Sequence, residues 1–339
     1  MPYCHGDDLE RAYRHARDGG YGFFASNVVQ FDILVGLLRG ADRVESDLVV
    51  QINEETAEFY GDGDPRAGLR AFGSYLQELA ASKEVGVFCN IDHVRPDDED
   101  EDEEFLRACV QSGIPSSVMV DASAEPFEAN VERTRDAVEL VSEAEQEILV
   151  EAELGRVAGE EGGVETTADD AFYTDPERAV EFVDRTGCDL LAISVGTQHG
   201  VASDRKLDVR PDVARSVDDA LRDHGLEVPL VVHGSSGLTD EQVRAFVDAG
   251  VRKFNKNTRY QYEYTRTAFD YYRNHEDSIV PPDDVTGRET LYSESDWSPE
   301  KAHFHPSVAA EEVRTRLADV MAELAELTGS AGQSGYARS

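Results

Sequence analysis

The sequence predicts an α/β protein built as a (β/α)₈ (TIM) barrel, with an extra helix before the barrel and a helical extension at the C-terminus. Two observations predict this fold class. Short apolar runs rich in Val, Ile and Phe recur at intervals of about 25–40 residues, and helix-like stretches fill the intervals. A doubly wound parallel sheet is the main alternative, but the glycine-rich fingerprint that would follow its first strand is missing.

The apolar runs are continuous, which is typical of parallel strands buried on both faces. In chain order they are YGFFAS from Tyr21, LVVQI from Leu48, VGVFCNI from Val85, SVMVD from Ser117, ILVEAE from Ile148, DLLAIS from Asp189, PLVVH from Pro229 and VRKFN from Val251. Helix signals separate them. Asp175 followed by Pro176 combines a cap with a first-turn proline, and Gly187 and Gly250 end helices just before the next strand.

We expect the whole chain, residues 1–339, to form a single barrel domain. The extra helices are predicted at about residues 7–18 and at 306–328. Residues 275–305 are rich in Asp, Pro, Ser and Glu and are predicted to be a long acidic loop. The unbroken acidic run Asp97–Glu104 is predicted to be a solvated loop or helix start, because like charges repel and favour exposure.

The charge balance excludes several classes of protein. The 70 acidic residues against 32 basic residues leave a net charge of −38, which repels nucleic-acid backbones. No apolar stretch approaches the length of a membrane span, and the polar, acidic N-terminus resembles no targeting peptide, so we expect a cytoplasmic protein. Only five of the basic residues are lysines, and this composition is typical of extreme halophiles. The four scattered cysteines predict neither disulfides nor a cysteine zinc site.

Polar side chains follow each predicted strand, at the end where barrels carry their active sites. These strand-end residues are Asn27, Asn53, Asp92 with His93, Asp121, Glu151 with Glu153, His199, His233 and Asn255. Three converging histidines with an open position are typical of a catalytic zinc or similar divalent ion. Because Asp92 and His93 are adjacent in an extended segment, we expect their side chains to diverge, one binding metal and the other doing acid/base work.

Glycine and serine follow the sixth and seventh strands and predict an anion-binding turn. Gly200 comes directly after His199, and Gly234-Ser235-Ser236-Gly237 comes directly after His233. Backbone N–H groups in such turns often hold phosphate in barrels. The segment Asn255–Thr258 adds amide, hydroxyl and ammonium donors beside them.

Four segments together resemble the class II (metal-dependent) fructose-1,6-bisphosphate aldolases. They are NIDHV from Asn90, VEAELGRVAGEEGGV from Val150, LLAISVGTQHGV from Leu190, and LVVHGSSGL from Leu230 followed by VRKFNKNT from Val251. The resemblance runs from about Tyr21 to Tyr272. It implies a barrel fold, an enzyme of glycolysis and gluconeogenesis, an obligate divalent metal that is usually Zn²⁺, and a homodimer or larger homo-oligomer acting on sugar phosphates. A monovalent cation is a further expected cofactor.

The resemblance also implies roles for individual residues. His93, His199 and His233 match the metal ligands, while Glu153 and Asp121 match carboxylates close to an alternative metal position. Asp92 matches the acid/base that handles the C4 hydroxyl, and Glu161, between glycines of a predicted lid at 155–163, matches the acid that moves the proton on the dihydroxyacetone phosphate carbon. The expected substrate-binding residues are Asn27, Gly200, Gly234, Ser235, Ser236, Asn255, Asn257, Thr258 and Arg259.

The chain departs from the family pattern at three points. Ser235 stands where the family often has glycine, and Asn257 stands where it often has an acid. The start of the C-terminal helix lacks the arginine that relatives direct to the distal phosphate, so we expect Arg259 or Lys256 to replace it. These departures leave the sugar specificity open. An aldolase for tagatose bisphosphate or another ketose phosphate is therefore the alternative.

Other classes of function are less well supported by the residues. A Schiff-base aldolase needs a buried strand-end lysine, and the predicted sixth strand has none, while Lys253 is expected to form an ion pair. A barrel hydrolase commonly begins with an HxH motif on strand one, which YGFFASN lacks. A non-catalytic metal-binding protein would have no need of a lid acid such as Glu161.

Overall fold

The computed structural model describes residues 3–95, 100–155, 159–161, 164–166, 173–198, 200, 208–282 and 297–336, and within 100–103, 159–161 and 164–166 only the backbone. The strands are β1 Phe23–Asn27, β2 Leu48–Ile52, β3 Val87–Val94, β4 Ser117–Val120, β5 Leu149–Leu154, β6 Gly159–Glu161, β7 Val164–Thr166, β8 Leu190–Ile193, β9 Leu230–Val232 and β10 Val251–Lys256. Eight of them close into a parallel barrel in the order β1-β10-β9-β8-β5-β4-β3-β2. The predicted (β/α)₈ barrel is confirmed.

The helices surround this barrel. They are α1 Gly6–Gly19, α2 Phe31–Arg43, α3 Glu54–Tyr60, α4 Pro65–Ala80, α5 Asp100–Ser112, α6 Phe127–Val141, α7 Pro176–Thr186, α8 Pro211–Asp223, α9 Asp240–Asp248, α10 Thr258–Asn274, α11 Glu276–Ile279, α12 Lys301–Phe304 and α13 Pro306–Thr328. No helix in the described part of the chain is long and apolar enough to cross a membrane.

Two apolar cores hold the barrel together. The larger core lies between the strands and the outer helices, because alternate strand residues such as Phe24 and Val50 point outward onto them. The smaller core fills the barrel with the intervening residues, including Phe23, Val49 and Val231, and also contains Leu9 and Tyr13 of α1. The N-terminal helix therefore closes the amino end of the barrel, and the carboxyl ends of the strands are left for the site.

Several elements differ from the prediction. The strands β6 and β7 form a two-stranded antiparallel sheet where a glycine-rich lid was expected, and Glu161 is the last residue of β6. Within 275–305, predicted to be one long loop, α11 and α12 are short helices, while 283–296 lie outside the described residues. Asn53, expected among the strand-end residues, is the N-cap of α3, and its side chain accepts a hydrogen bond from the backbone N–H of Thr56. The single-domain organisation stays a prediction.

Candidate active site

A cavity opens at the carboxyl ends of the barrel strands. The residues that line it are Asn27, Asp92, His93, Gly200, Gly234, Ser236, Asn255, Asn257 and Thr258. All of them belong to the set of site residues expected from the sequence. They come from β1, β3, β10 and the segments after β8, β9 and β10, so the closed barrel brings together residues more than 200 positions apart.

Three amide side chains hold Asp92 at the floor of this cavity. Asn27 and Gln51 donate to its Oδ2 at 3.0 and 2.9 Å, and Asn255 donates to its Oδ1 at 3.0 Å. The carboxyl group is 1 % exposed. Since each amide donates to it here, the three hydrogen bonds fix the orientation of the Asp92 carboxyl group.

The backbone turns at His93 and brings its side chain beside that of Asp92. The pairing of β3 with β4 is interrupted between Ile91 and Val94, and His93 has a φ of +47°, which is unusual for a residue other than glycine. The expected divergence of Asp92 and His93 is therefore wrong, because the bulge replaces the extended backbone on which that expectation depends. Such irregular backbone often marks a functional site.

His233 lies across from His93 and is enclosed by two carboxylates. The rings of the two histidines meet edge to face with centroids 4.9 Å apart. His233 Nε2 is 2.9 Å from Glu151 Oε1, and its Nδ1 is 3.3 Å from Glu153 Oε2. Glu151 in turn accepts a hydrogen bond from Lys253 Nζ at 2.5 Å, and all these groups are buried. Lys253 thus forms the ion pair expected from the sequence.

The donor set fits a divalent cation. Asp92, His93 and His233 each offer a ligand atom within 4.8 Å of the others, and so do His93, Asp121 and Glu153. Glu153 is buried, and its Oε2 lies beside the His233 ring. Imidazole nitrogens together with a buried carboxylate oxygen suit zinc or a similar ion.

The raised pKa values of His93 and His233 also indicate a site that favours a cation. Burial alone would lower the pKa of His93, but the charge of Asp92 and the hydrogen bond to Asp121 Oδ2 at 3.0 Å outweigh it and raise the pKa to about 9. Burial likewise opposes the positive charge of His233, but the carboxylates of Glu151 and Glu153 raise its pKa to about 10. Carboxylates that stabilise imidazolium ions would also stabilise a metal cation in the same place.

The opposite side of the cavity presents hydrogen-bond donors. Gly234 has a φ of +65°, and a Cβ there would lie 2.7 Å from the backbone carbonyl of Gln198, so only glycine fits this turn. The buried hydroxyl of Ser235 donates to the carbonyl oxygen of Asn255 at 2.6 Å and fixes the turn to β10. Thr258 begins α10, whose 17 residues direct an N-terminal dipole at the cavity.

Some expected site residues lie elsewhere. Arg259 does not line the cavity but pairs with Glu323 at 2.8 Å and approaches Glu263 at 3.7 Å. His199 lies outside the described residues, and only the backbone of Glu161 is described. Their expected roles stay predictions.

Sequence reasoning missed one participant. Gln51 contacts both Asp92 and Asn27, and the only sign of it was a polar residue inside the apolar run LVVQI. Lys256, one of the two residues expected to replace the missing arginine, is the last residue of β10. One of Lys256 and Arg259 was expected to contact the second phosphate of the substrate. Neither residue lines the cavity.

The chain is similar to known class II aldolases in sequence and in fold. The family model described as fructose-bisphosphate aldolase class-II matches residues 7–333. The D-tagatose-1,6-bisphosphate aldolase subunit GatY of Klebsiella oxytoca is 33% identical over 265 residues, which cover 77% of this chain and 84% of that protein. A fructose-bisphosphate aldolase of Corynebacterium glutamicum is 30% identical over 315 residues, which cover 86% and 90%. The crystal structure of fructose-bisphosphate aldolase (Fba) from Campylobacter jejuni matches with a TM-score of 0.81 over 98% of this chain and 97% of that one, and at 22% identity it supports the fold alone.

Proposed function

Because the chain belongs to the class II fructose-bisphosphate aldolase family and is therefore a lyase, we propose that it reversibly cleaves fructose 1,6-bisphosphate to dihydroxyacetone phosphate and glyceraldehyde 3-phosphate. One observation carries the proposal. A single cavity holds a fixed carboxylate, Asp92, beside His93 and opposite the Gly234–Ser236 turn. In this proposal, Asp92 would act as the acid/base group, His93 would bind the metal, and the turn would bind a phosphate of the same substrate.

Asp92 is proposed to act as the acid/base at the C4 hydroxyl. In cleavage it takes the hydroxyl proton, the C4 oxygen becomes the aldehyde carbonyl, and the electron pair of the C3–C4 bond passes to the dihydroxyacetone phosphate half. That carbon then receives a proton, for which we propose Glu161, at the end of β6. In condensation the same groups act in reverse. If Asp92 is not the base, Glu153 is the next candidate.

The metal would be held by His93 and His233 together with His199, and Glu153 and Asp121 would contact its alternative position. When bound, the cation supplies Lewis-acid polarisation of the substrate ketone. We propose Zn²⁺ because three imidazoles are a typical catalytic zinc set. The monovalent cation stays a prediction.

The substrate is proposed to lie with one phosphate against the turn. Gly200, Gly234 and Ser236 would offer backbone N–H groups, and Asn257 and Thr258 would complete the contact at the start of α10. Asn27 and Asn255 would contact the sugar carbon chain. The buried Oδ1 of Asn255 accepts no hydrogen bond within the described residues, so it is available to a substrate hydroxyl. Ser235 would act by shaping the turn, and Arg259 would need to leave its ion pairs to take part.

Tagatose 1,6-bisphosphate is the second candidate substrate, because the relative from Klebsiella oxytoca carries that activity in its name. The two sugars differ only in configuration at C4. Steady-state cleavage of both, with the aldehyde product followed by a coupled dehydrogenase, separates the two proposals. We expect a higher kcat/KM for fructose 1,6-bisphosphate. A higher value for the tagatose isomer would assign the chain to the second activity.

Composition and family membership support proposals about the localisation, the oligomeric state and the source of the protein. We propose a cytoplasmic homodimer or larger homo-oligomer from an extreme halophile, because the net charge of −38 suits concentrated salt. Sedimentation in molar KCl would show the oligomer.

A further inference from the structure

Two buried lysines lie on β10, and among the described residues only Lys253 forms an ion pair within 4.0 Å. Lys253 is fully buried and pairs with Glu151 at 2.5 Å. Lys256 is 4% exposed, yet among the described residues no carboxylate oxygen lies within 4.0 Å of its Nζ. The chain has 70 acidic residues, so a buried cation left without a carboxylate is notable. Charges are rarely buried without a partner, because desolvation is costly.

The contacts of Lys256 do not neutralise its charge. Its Nζ donates to the carbonyl oxygen of Ser235 at 3.0 Å and lies 4.8 Å from the centroid of the Phe24 ring. Both are neutral groups. Burial, assisted by the positive charge of Arg259, outweighs the opposing negative charge of Asp240 and lowers the pKa of Lys256 to about 7. The ammonium form would therefore be favoured by an anion that binds nearby.

The position of Lys256 indicates where that anion binds. Its neighbours in sequence, Asn255 and Asn257, line the cavity, and Ser235, which it contacts, stands between the cavity-lining residues Gly234 and Ser236. The ammonium group thus lies directly behind the turn. It adds a full charge to the partial charges of the turn and of the α10 N-terminus.

We propose that Lys256 is a specificity-determining residue that supplies the buried counter-charge for a phosphate group bound at the Gly234–Ser236 turn. The inference rests on the proposed function for the identity of the substrate as a sugar phosphate. It goes beyond that function by assigning the phosphate affinity to a side chain that does not line the cavity. The competing explanation is that Lys256 only ties down the carbonyl of Ser235.

Matched variants test this role. Lys256→Met removes the charge at similar length, Lys256→Arg keeps it, and Lys83→Met removes a charge that pairs with Asp42 at 3.3 Å away from the cavity. Inorganic phosphate is titrated into each metal-loaded protein by calorimetry. We expect Lys256→Met to bind phosphate at least about tenfold more weakly, because the lost charge acts at low dielectric. Lys256→Arg should stay within about threefold of the wild type, because its charge is permanent.

Cleavage kinetics give a second readout. The loss of phosphate affinity should raise KM for fructose 1,6-bisphosphate in Lys256→Met more than it lowers kcat, since the lysine does not line the cavity. A folded Lys256→Met protein with wild-type phosphate affinity would overturn the inference and leave the proposed function standing. Phosphate binding that depends on Lys256, in a protein that cleaves no sugar bisphosphate, would support the inference and contradict the proposed function.

A measurement on the unmodified chain covers the case in which Lys256→Met does not fold. The chain has only five lysines, so their Nζ resonances can be resolved by NMR after labelling with ¹⁵N-lysine. Addition of phosphate should shift the Lys256 resonance and raise its pKa, while Lys83 stays unchanged. An unperturbed Lys256 resonance at saturating phosphate would contradict the proposal.

Discussion

Asp92 owes its function in this account to its neighbours. Three amides from β1, β2 and β10 donate to its two oxygens and fix its orientation within the wall of the barrel. Its adjacent residue, His93, reaches the same cavity through a bulge with positive φ. The proposed acid/base group and one proposed metal ligand thereby lie side by side on one strand.

We predict that Asp92→Asn slows cleavage about 10²–10⁴-fold, the usual contribution of acid/base catalysis. The amide cannot accept the C4 proton, but it should preserve the fold and leave metal content unchanged. Steady-state kinetics and metal analysis of the same sample test this, with the exposed Asp223→Asn as the control. Unchanged turnover would transfer the role to Glu153.

We predict that His233→Ala loses bound metal and activity together. The substitution removes one nitrogen donor and leaves Glu151 and Glu153 without the imidazole between them. Metal content per chain and cleavage rate should both fall, whereas the exposed His224→Ala should change neither. His93→Ala and His199→Ala should behave like His233→Ala. Full metal occupancy with full turnover in any of these variants would exclude that histidine as a ligand.

The sequence predicts which single residues lie at the site where their position along a strand is enough to place them there. The grouping of Asp92, His93 and His233 could be predicted because all three lie at the ends of barrel strands. Gln51 could not, because one polar residue in an apolar strand does not reveal its partners. The bulge at His93 could not be predicted from the sequence either, since it depends on how β3 pairs with β4.

At the level of elements, the strands are joined by more than backbone pairing. Lys253 on β10 and Glu151 on β5 form a fully buried ion pair, and burial alone would raise the pKa of Glu151, but the lysine charge lowers it to about 2. The pair fixes His233 on β9 through the other oxygen of Glu151. It therefore links the packing of the barrel to the position of an expected metal ligand.

We predict that Lys253→Met destabilises the protein by about 3–5 kcal/mol, because it leaves the Glu151 carboxylate buried without its cation. Urea unfolding at constant high salt measures the change. Lys83→Met, which breaks a less buried pair with Asp42, should cost about 1 kcal/mol or less. A loss below about 1 kcal/mol for Lys253→Met would show that the pair contributes little.

The elements that could be predicted are those with strong apolar patterns. All eight barrel strands follow continuous apolar runs, and the two predicted terminal helices correspond to α1 and α13. The strands β6 and β7 could not be predicted, because segments such as GEE and VET lack an apolar pattern. The short helices α11 and α12 were equally hidden within an acidic, proline-containing stretch.

For the whole molecule, charge is the dominant property. A net charge of −38 on one compact body produces repulsion that only concentrated salt can screen. The Debye length is about 30 Å at 0.01 M and about 3 Å at 1 M salt. Folding and assembly are therefore expected to depend on salt.

We predict that activity and the oligomer are both retained in molar KCl and decay on dialysis to about 0.01 M salt, where screening is weak. Cleavage rate and sedimentation would be followed across a salt series at constant zinc. The acidic run Asp97–Glu104 closely follows His93, so metal binding should be lost early. Full activity and an intact oligomer after long incubation at low salt would leave the acidity unexplained.

The central claim is that the barrel is a metal-dependent aldolase for fructose 1,6-bisphosphate. Its most direct test is the rate of fructose 1,6-bisphosphate cleavage by the purified protein in high salt, measured before chelation, after chelation and after zinc is returned. We predict cleavage that chelation abolishes and zinc restores. Undiminished cleavage by protein shown to be metal-free, or no cleavage by the zinc-loaded protein, would contradict the account.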